Sequence, residues 1–289
     1  MVNYIQLLRA HQWIKNLFIF VPAFFDQQLT VQACLLVLIP GFFTFSFASS
    51  AVYILNDYLD IEDDRKHHKK KHRPLASGRV AISTALSIGV GLLVGGVVIG
   101  AFLSWAFAAI ITIYLLLNIL YTIRLKHVPI LDISIVASGY VFRVLAGGIL
   151  CAIPVSEWLL VITFLLALFI ALAKRRDDVL LYQKSGEKTR KVVDGYNLEF
   201  LNIAMSIMAS VVIVSYLMYT LSADIIERLG TDQLYFTVIF VILGFFRYLQ
   251  RAFVEENTGS PTEIIYFDRF IQITVLAWMA VMFFLLYFL

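Results

Sequence analysis

The chain has 289 residues, of which 61% are hydrophobic and only 15% charged. A soluble domain carries roughly 25% charged residues, and apolar runs near 20 residues recur here along almost the whole length, so a polytopic helical membrane protein is expected. The formal net charge of +3 therefore reports loop asymmetry across a bilayer, and it gives no reason to look for a nucleic-acid partner.

Nine spans are expected, at about 13–30, 34–56, 81–103, 105–122, 129–151, 156–173, 200–221, 233–249 and 270–289. Arg9 and Lys15 precede the first apolar run, which Pro22 breaks. With no small-residue cleavage site after it, this run reads as a first membrane helix rather than a leader. Trp13 beside Lys15 has the character of an interfacial anchor. The third and fourth spans are separated only around Ser104, which demands a tight hairpin. Cys34 and Cys151 fall near the ends of apolar segments without metal-ligand spacing. They read as packing residues, with a disulfide left open. Two G-x-x-x-G pairs in the third span, Gly91 with Gly95 and Gly96 with Gly100, would let helices approach closely.

With the N-terminus inside, 21 of the 23 Lys and Arg fall in inner segments; Arg228 lies outside and Arg143 within a span. That asymmetry sets the orientation: N-terminus and the long polar loops at about 57–80 and 174–199 on the cytoplasmic face, C-terminus outside. The whole chain, 1–289, reads as a single polytopic domain in a cytoplasmic (inner) membrane.

The densest chemistry follows the second span, in NDYLDIEDDRKHHKKKHRPLASGR at 56–79. If the helix continues through it, Asp57, Asp60 and Asp64 fall on one narrow face, with Asn56 at its flank. Like charges so placed repel, and a helix C-terminus disfavours anions. An all-oxygen donor set suits Mg²⁺ held by carboxylates together with substrate phosphates. The competing reading is a solvated acidic helix end beside a topogenic basic loop. Arg143 lies mid-span, where an arginine costs at least about 2.5 kcal/mol on insertion scales, so it needs a partner or a polar cavity. Asp132, eleven residues earlier, shares its face. Arg143 is either half of a structural pair or a phosphate contact. Lys174, Arg175 and Arg176 close the sixth span. They are phosphate binders or a positive-inside stop signal. No nucleophile elbow, Walker A loop or H-E-x-x-H motif is present.

The pattern Asn56-Asp57-x-x-Asp60-x-x-x-Asp64-Arg65 resembles the signature of the UbiA superfamily of intramembrane prenyltransferases. His67, Lys70 and Arg73 to Gly78 extend the match. The resemblance implies an all-α integral membrane fold, nine helices around a central lipid-accessible cavity. Within the superfamily the chain is most similar to the decaprenyl-phosphate phosphoribosyltransferase branch. That similarity rests on Gln12 to Asn16, the acidic motif, Asp132 with Gly139 to Gly148, Lys174 to Arg176, Arg190 to Tyr196, and Pro261 to Arg269. Quinone-type members usually carry a second D-x-x-x-D motif after the sixth span. Here Leu181 follows Asp177 and Leu198 follows Asp194 at that spacing.

The branch implies transfer of phosphoribose from 5-phosphoribose 1-diphosphate (PRPP) to a polyprenyl phosphate, a cell-wall precursor type of reaction. Asp57, Asp60 and Asp64 would be metal ligands and, with Lys174, catalytic. Lys15, Asn56, Arg65, Lys70, Arg73, Arg143, Arg175, Arg190 and Tyr196 would bind substrate. The alternatives are a prenyltransferase acting on an aromatic acceptor and a non-enzymatic lipid-phosphate carrier. Exposed Phe-rich spans would permit a homo-oligomer.

Overall fold

The computed structural model describes residues 2–66, 68, 70–185, 191–255 and 267–288, and all regular structure among them is helical. Eight of these helices are long and apolar enough to cross a membrane. The chain divides into two compact units, Met1–Val155 and Ser156–Leu289.

The first unit contains α1 (Val2–Leu8), a 3-10 segment (Ala10–Phe20), α2 (Val21–Phe25), α3 (Gln32–Leu59), α4 (Ile61–Lys66), α5 (Ile82–Leu103), α6 (Trp105–Ile123) and α7 (Leu131–Cys151). The expected span at 13–30 is not one long helix. Its first half is drawn out into an unusually long 3-10 run, α2 is only five residues, and Gln27 turns left-handed after it. Pro22 at the start of α2 is compatible with that break, because the first helical turn needs no donor from it. A 3-10 helix rises about 2 Å per residue against 1.5 Å for an α-helix, so the segment covers more distance with fewer residues.

That reach lets the segment run antiparallel along α3. Arg9 meets Asp57, the Trp13 indole N–H donates to Ser50 Oγ at 3.0 Å, and the Asn16 amide donates to Ser46 Oγ at 2.8 Å. Phe20 then packs on Phe42, with ring centroids 6.0 Å apart. Beyond these contacts, Ile19 and Ala23 join Cys34, Leu38 and Phe45 in one buried apolar cluster, with Phe107 and Ile111 from α6.

Glycine sets the closest approaches. A Cβ at Gly147 would lie 1.9 Å from the Ile19 carbonyl oxygen, so the backbone of α7 touches that of the 3-10 segment. On α5 the approach comes from Gly96, against Ala48, and Gly100, against Ala108; Gly91 and Gly95 meet nothing within 4 Å. Small residues thus serve packing at the second pair and not at the first. Ser104 makes the expected hairpin in a single extended residue, and its side chain accepts from the Phe107 N–H to cap α6.

Cys34 and Cys151 form a disulfide, with Cα atoms 5.1 Å apart, which corrects the packing role expected from sequence. Their separation of 117 residues hid the pairing, since only the antiparallel fold brings the start of α3 to the end of α7. Denatured, unreduced protein should take up no maleimide, and two labels should appear after reduction. Labelling before reduction would contradict the bridge.

The second unit contains α8 (Glu157–Ser185), α9 (Leu198–Leu221), α10 (Ala223–Leu229), α11 (Val238–Phe253) and α12 (Arg269–Tyr287). The eight later spans read from sequence in the two units match helices closely, and α8 runs about three turns beyond its expected end, carrying Lys174 to Asp178 on a continuous helix. Asp268 caps α12 by accepting from the Ile271 N–H at 3.0 Å and pairs with Arg247 at 2.7 Å. Burial alone would raise its pKa. The Arg247 and backbone hydrogen bonds outweigh burial and hold its carboxyl below the usual carboxylate range.

Candidate functional site

The acidic motif sits where α3 ends. Asp60 leaves helical geometry, at φ −100° and ψ 9°, but its N–H still bonds the Asn56 carbonyl at 3.0 Å. The Asp64 N–H in turn bonds the Asp60 carbonyl at 2.8 Å. The path is therefore a helix with a one-residue hitch, not the uninterrupted helix expected from sequence. Asp57 and Asp64, two turns apart, still converge. Arg73 Nη1 donates to Asp57 at 3.1 Å and to Asp64 at 2.6 Å. Both carboxylates are almost fully buried, at 2% and 3% exposure. The hitch turns Asp60 elsewhere. It accepts from Lys126 Nζ at 2.6 Å and from the Asn56 amide at 3.1 Å.

Each carboxylate of the motif thus faces a basic side chain. Arg9 pairs with Asp57, Arg73 bridges Asp57 and Asp64, and Lys126 holds Asp60. Among the described residues no three His, Cys, Asp or Glu side chains stand gathered as a metal cage. The donors nevertheless fit Mg²⁺. They are all oxygen, as a hard cation requires, and a cation already lies between Asp57 and Asp64 in the form of the Arg73 guanidinium.

Arg9 and Lys126 were not singled out from sequence, where the positive-inside count absorbed them. Arg9 is left-handed, at φ 50°, and its guanidinium stacks over Tyr53 at 5.0 Å. A residue other than glycine in that region is uncommon and often marks a place where a side chain is being aimed. Its neighbour His11 is held below the usual imidazole pKa, first by burial and then by the charges of Arg9 and Lys15. The start of the 3-10 segment therefore presents a positive edge to the acidic motif.

Arg143 is buried on α7, but its partner is not Asp132. Its Nε donates to the Asn16 side-chain oxygen at 2.7 Å and its Nη1 to the Gly139 carbonyl at 2.6 Å. Nη2 reaches Ser49 and the Tyr114 hydroxyl at 3.4 and 3.5 Å, and the rings of Phe45, Tyr114 and Tyr140 surround the guanidinium. Helical spacing put Arg143 and Asp132 on one face, but the guanidinium is met instead by groups from the 3-10 segment, α3 and α6. Asn16 links it to Ser46, so Arg143 pins the strip that carries Arg9 and Lys15.

Of the other expected residues in this unit, Arg65 pairs with Glu62 at 2.8 Å and donates to the Ala76 carbonyl at 3.2 Å, at the exposed edge of the motif. Lys15 and Lys70 are half-buried. In the second unit, Lys174 is exposed on α8, while Arg175 and Arg176 are each 4% exposed. Arg175 pairs with Asp178 at 2.7 Å, and Arg176 donates to Asn202 at 2.7 Å and lies over the Phe253 ring. Tyr196 is buried beside Phe200. Arg190 and His67 lie outside the described residues.

Residues 17–271 match the profile of the UbiA prenyltransferase family. The decaprenyl-phosphate phosphoribosyltransferase of Mycolicibacterium smegmatis is 32% identical, covering 95% of this chain and 89% of that one. Its counterpart from Corynebacterium glutamicum is 29% identical over 95% of this chain and 83% of its own. A digeranylgeranylglyceryl phosphate synthase from Sulfurisphaera tokodaii is 28% identical over 83% of this chain and 86% of its own. Among solved structures, a UbiA homolog from Archaeoglobus fulgidus bound to DMAPP and Mg²⁺ superposes with a TM-score of 0.76 at 21% identity, covering 99% of this chain and 100% of that one.

Proposed function

This chain belongs to the UbiA prenyltransferase family, and from that premise we propose that it transfers 5-phosphoribose from PRPP to a polyprenyl phosphate, releasing diphosphate. The observation that carries the reading is similarity, along 95% of the chain, to enzymes named for that transfer. Two features of the chain agree with it. The D-x-x-x-D spacing after the sixth span is absent, and basic residues stand on α8 near its place.

In the proposed reaction an oxygen of the lipid phosphate attacks C1 of the ribose. A C1–O bond to the lipid phosphate forms, the C1–O bond to diphosphate breaks, and diphosphate leaves with the bonding pair. The attacking phosphate is already ionised near neutral pH, so no strong general base is required. The barrier lies in bringing two anions together and in releasing a third. Fixed positive charge is the remedy a protein can supply, and Arg73 with Lys15 and Lys70 would supply it in the first unit, Lys174 and Arg175 in the second. Asp57, Asp60 and Asp64 would hold Mg²⁺, which when bound supplies charge neutralisation of the leaving diphosphate. Arg143, with its nitrogens committed to protein oxygens, would act by fixing the 3-10 segment and not by touching substrate.

We infer that the acidic motif and the N-terminus face the cytoplasm and the C-terminus lies outside, a reading supported by the distribution of Lys and Arg. The antiparallel run of the 3-10 segment along α3 agrees, because it returns the chain to the far end of α3 before that helix begins.

The test supplies detergent-purified protein with Mg²⁺, ribose-labelled PRPP and decaprenyl phosphate, and follows label into the organic phase. Transfer that requires Mg²⁺ is expected. A second reading, prenyl transfer from a polyprenyl diphosphate, is favoured by the similarity to a digeranylgeranylglyceryl phosphate synthase. Label remaining in water, with a prenyl diphosphate consumed instead, would establish that reading.

A further inference from the structure

We propose that Cys34 and Cys151 form a thiol–disulfide exchange site on the outer face of the membrane, closed by an extracytoplasmic oxidoreductase of the Cys-x-x-Cys kind that engages Cys151 first. The inference rests on the cytoplasmic placement of the acidic motif and is independent of which group the protein transfers.

Cys34 lies in the first turn of α3 and Asp57 in its last. The roughly 23 helical residues between them span about 35 Å, more than the hydrocarbon core of about 30 Å. With the acidic motif at the cytoplasmic face, the bridge emerges at the other, where disulfides form and persist. Cys151, the last residue of α7, meets Cys34 there.

The two sulfurs differ in access and in electrostatics. Cys34 is 7% exposed, whereas Cys151 is half-buried. Ala152 and Pro154 after it are exposed, and so are Thr30 to Ala33 before Cys34. The chain leaves regular structure after Ala152, which is left-handed at φ 54°. A partner backbone can therefore reach Cys151 along this edge. No charged side chain occurs in residues 27–35 or 149–156, so the helix termini are the local electrostatics that act on the thiols. The N-terminus of α3 favours a thiolate at Cys34, and the C-terminus of α7 disfavours one at Cys151. The accessible thiol is thus the less reactive one, and closure of the pair needs an oxidant with a good leaving thiolate.

Closure proceeds by two exchanges. The Cys151 thiolate attacks the partner's disulfide, one partner sulfur leaves as thiolate, and a mixed disulfide forms on Cys151. The Cys34 thiolate then attacks Cys151 Sγ and expels the second partner sulfur. The two thiols of the chain are oxidised, the partner's disulfide is reduced to a dithiol, and two protons pass through solvent to the partner's thiolates. Cys34 precedes Cys151 by 117 residues, so closure follows insertion of α7.

The test has two arms on the full chain. Right-side-out spheroplasts expressing it are treated with tris(2-carboxyethyl)phosphine, which stays outside the membrane, and then with a membrane-impermeant maleimide. Two labels are expected with the reductant and none without it. The second arm uses purified protein and a Cys-x-x-Cys oxidase whose second cysteine is replaced and whose first carries 2-nitro-5-thiobenzoate, a coloured leaving group. Cys34→Ala, which keeps Cys151, should displace the colour at least about tenfold faster than Cys151→Ala, and the two should react alike once denatured. Should either variant not fold, the wild type decides. After reduction, a catalytic amount of the intact oxidase should restore the bridge at least about tenfold faster than air alone.

Labels gained without reductant would overturn the proposal. Labels gained only after the spheroplasts are opened would overturn it together with the inferred orientation. Equal displacement by the two folded variants, a preference for Cys34, or no acceleration by the intact oxidase would overturn it with the orientation intact. None of these results bears on phosphoribosyl transfer, so the proposed function stands or falls separately.

Discussion

Asp60→Asn should lower phosphoribosyl transfer at least about 100-fold and leave the melting temperature nearly unchanged, the size of loss seen when one electrostatic catalytic group is removed. The separation of the two effects follows from how the carboxylates are held. Asp60 is the open one, with a side chain 28% exposed and a pair to Lys126. A partly solvated pair contributes only about 0–1 kcal/mol, so its loss hardly touches the fold. Asp57 is different. Its side chain is 2% exposed and accepts from both Arg9 and Arg73. Breaking a buried pair costs about 3–5 kcal/mol because a charge is left uncompensated. Asp57→Asn should therefore lose activity and stability together. Activity and thermal melting on both variants check the contrast. Near-normal transfer by Asp60→Asn would remove it from the site.

Gly147→Ala should be the most damaging of the small substitutions. The added methyl would fall 1.9 Å from the Ile19 carbonyl oxygen, which belongs to backbone and cannot rotate away. Forcing one methylene into a packed core already costs about 1–3 kcal/mol, and a clash with main chain belongs at the upper end or above. The 3-10 segment would have to move from α7, and with it Asn16, whose side chain accepts from Arg143, and the strip leading to Arg9. Loss of transfer should accompany loss of stability. Gly95→Ala is the control. Nothing lies within 4 Å of its added methyl, and removing a glycine from a helix interior stabilises by roughly 0.5–1 kcal/mol. Equal melting temperatures for the two variants would contradict the close approach of α7 and the segment.

The membrane helices were legible because bilayer thickness imposes one length and one apolar character on every span. The stretch at 13–30 was not, since hydropathy records apolar residues and not the helix type they adopt. Its 3-10 form follows from tertiary register with α3, seen in the ladder of Trp13 to Ser50 and Asn16 to Ser46. The acidic motif was legible as a motif, and Asp57 with Asp64 do converge. The turn of Asp60 toward Lys126 was not legible, because a one-residue hitch leaves no mark in spacing. Arg143 showed the same limit. Its burial was readable from its place in a span, whereas Asn16 lies 127 residues away and no periodicity points to it. Arg9 did leave a faint signal, three residues before the Gln12 to Asn16 run, but topology offered a sufficient account of its charge.

The most direct measurement of the central claim follows two labels in one reaction. PRPP is labelled in the ribose carbons and, separately, in the 5-phosphate, then given to the purified protein with Mg²⁺ and decaprenyl phosphate. The account predicts that both labels enter the lipid phase in equal amounts, matched mole for mole by released inorganic diphosphate. Both labels remaining in water, while the same protein moves the prenyl chain of a polyprenyl diphosphate onto an acceptor, would contradict it.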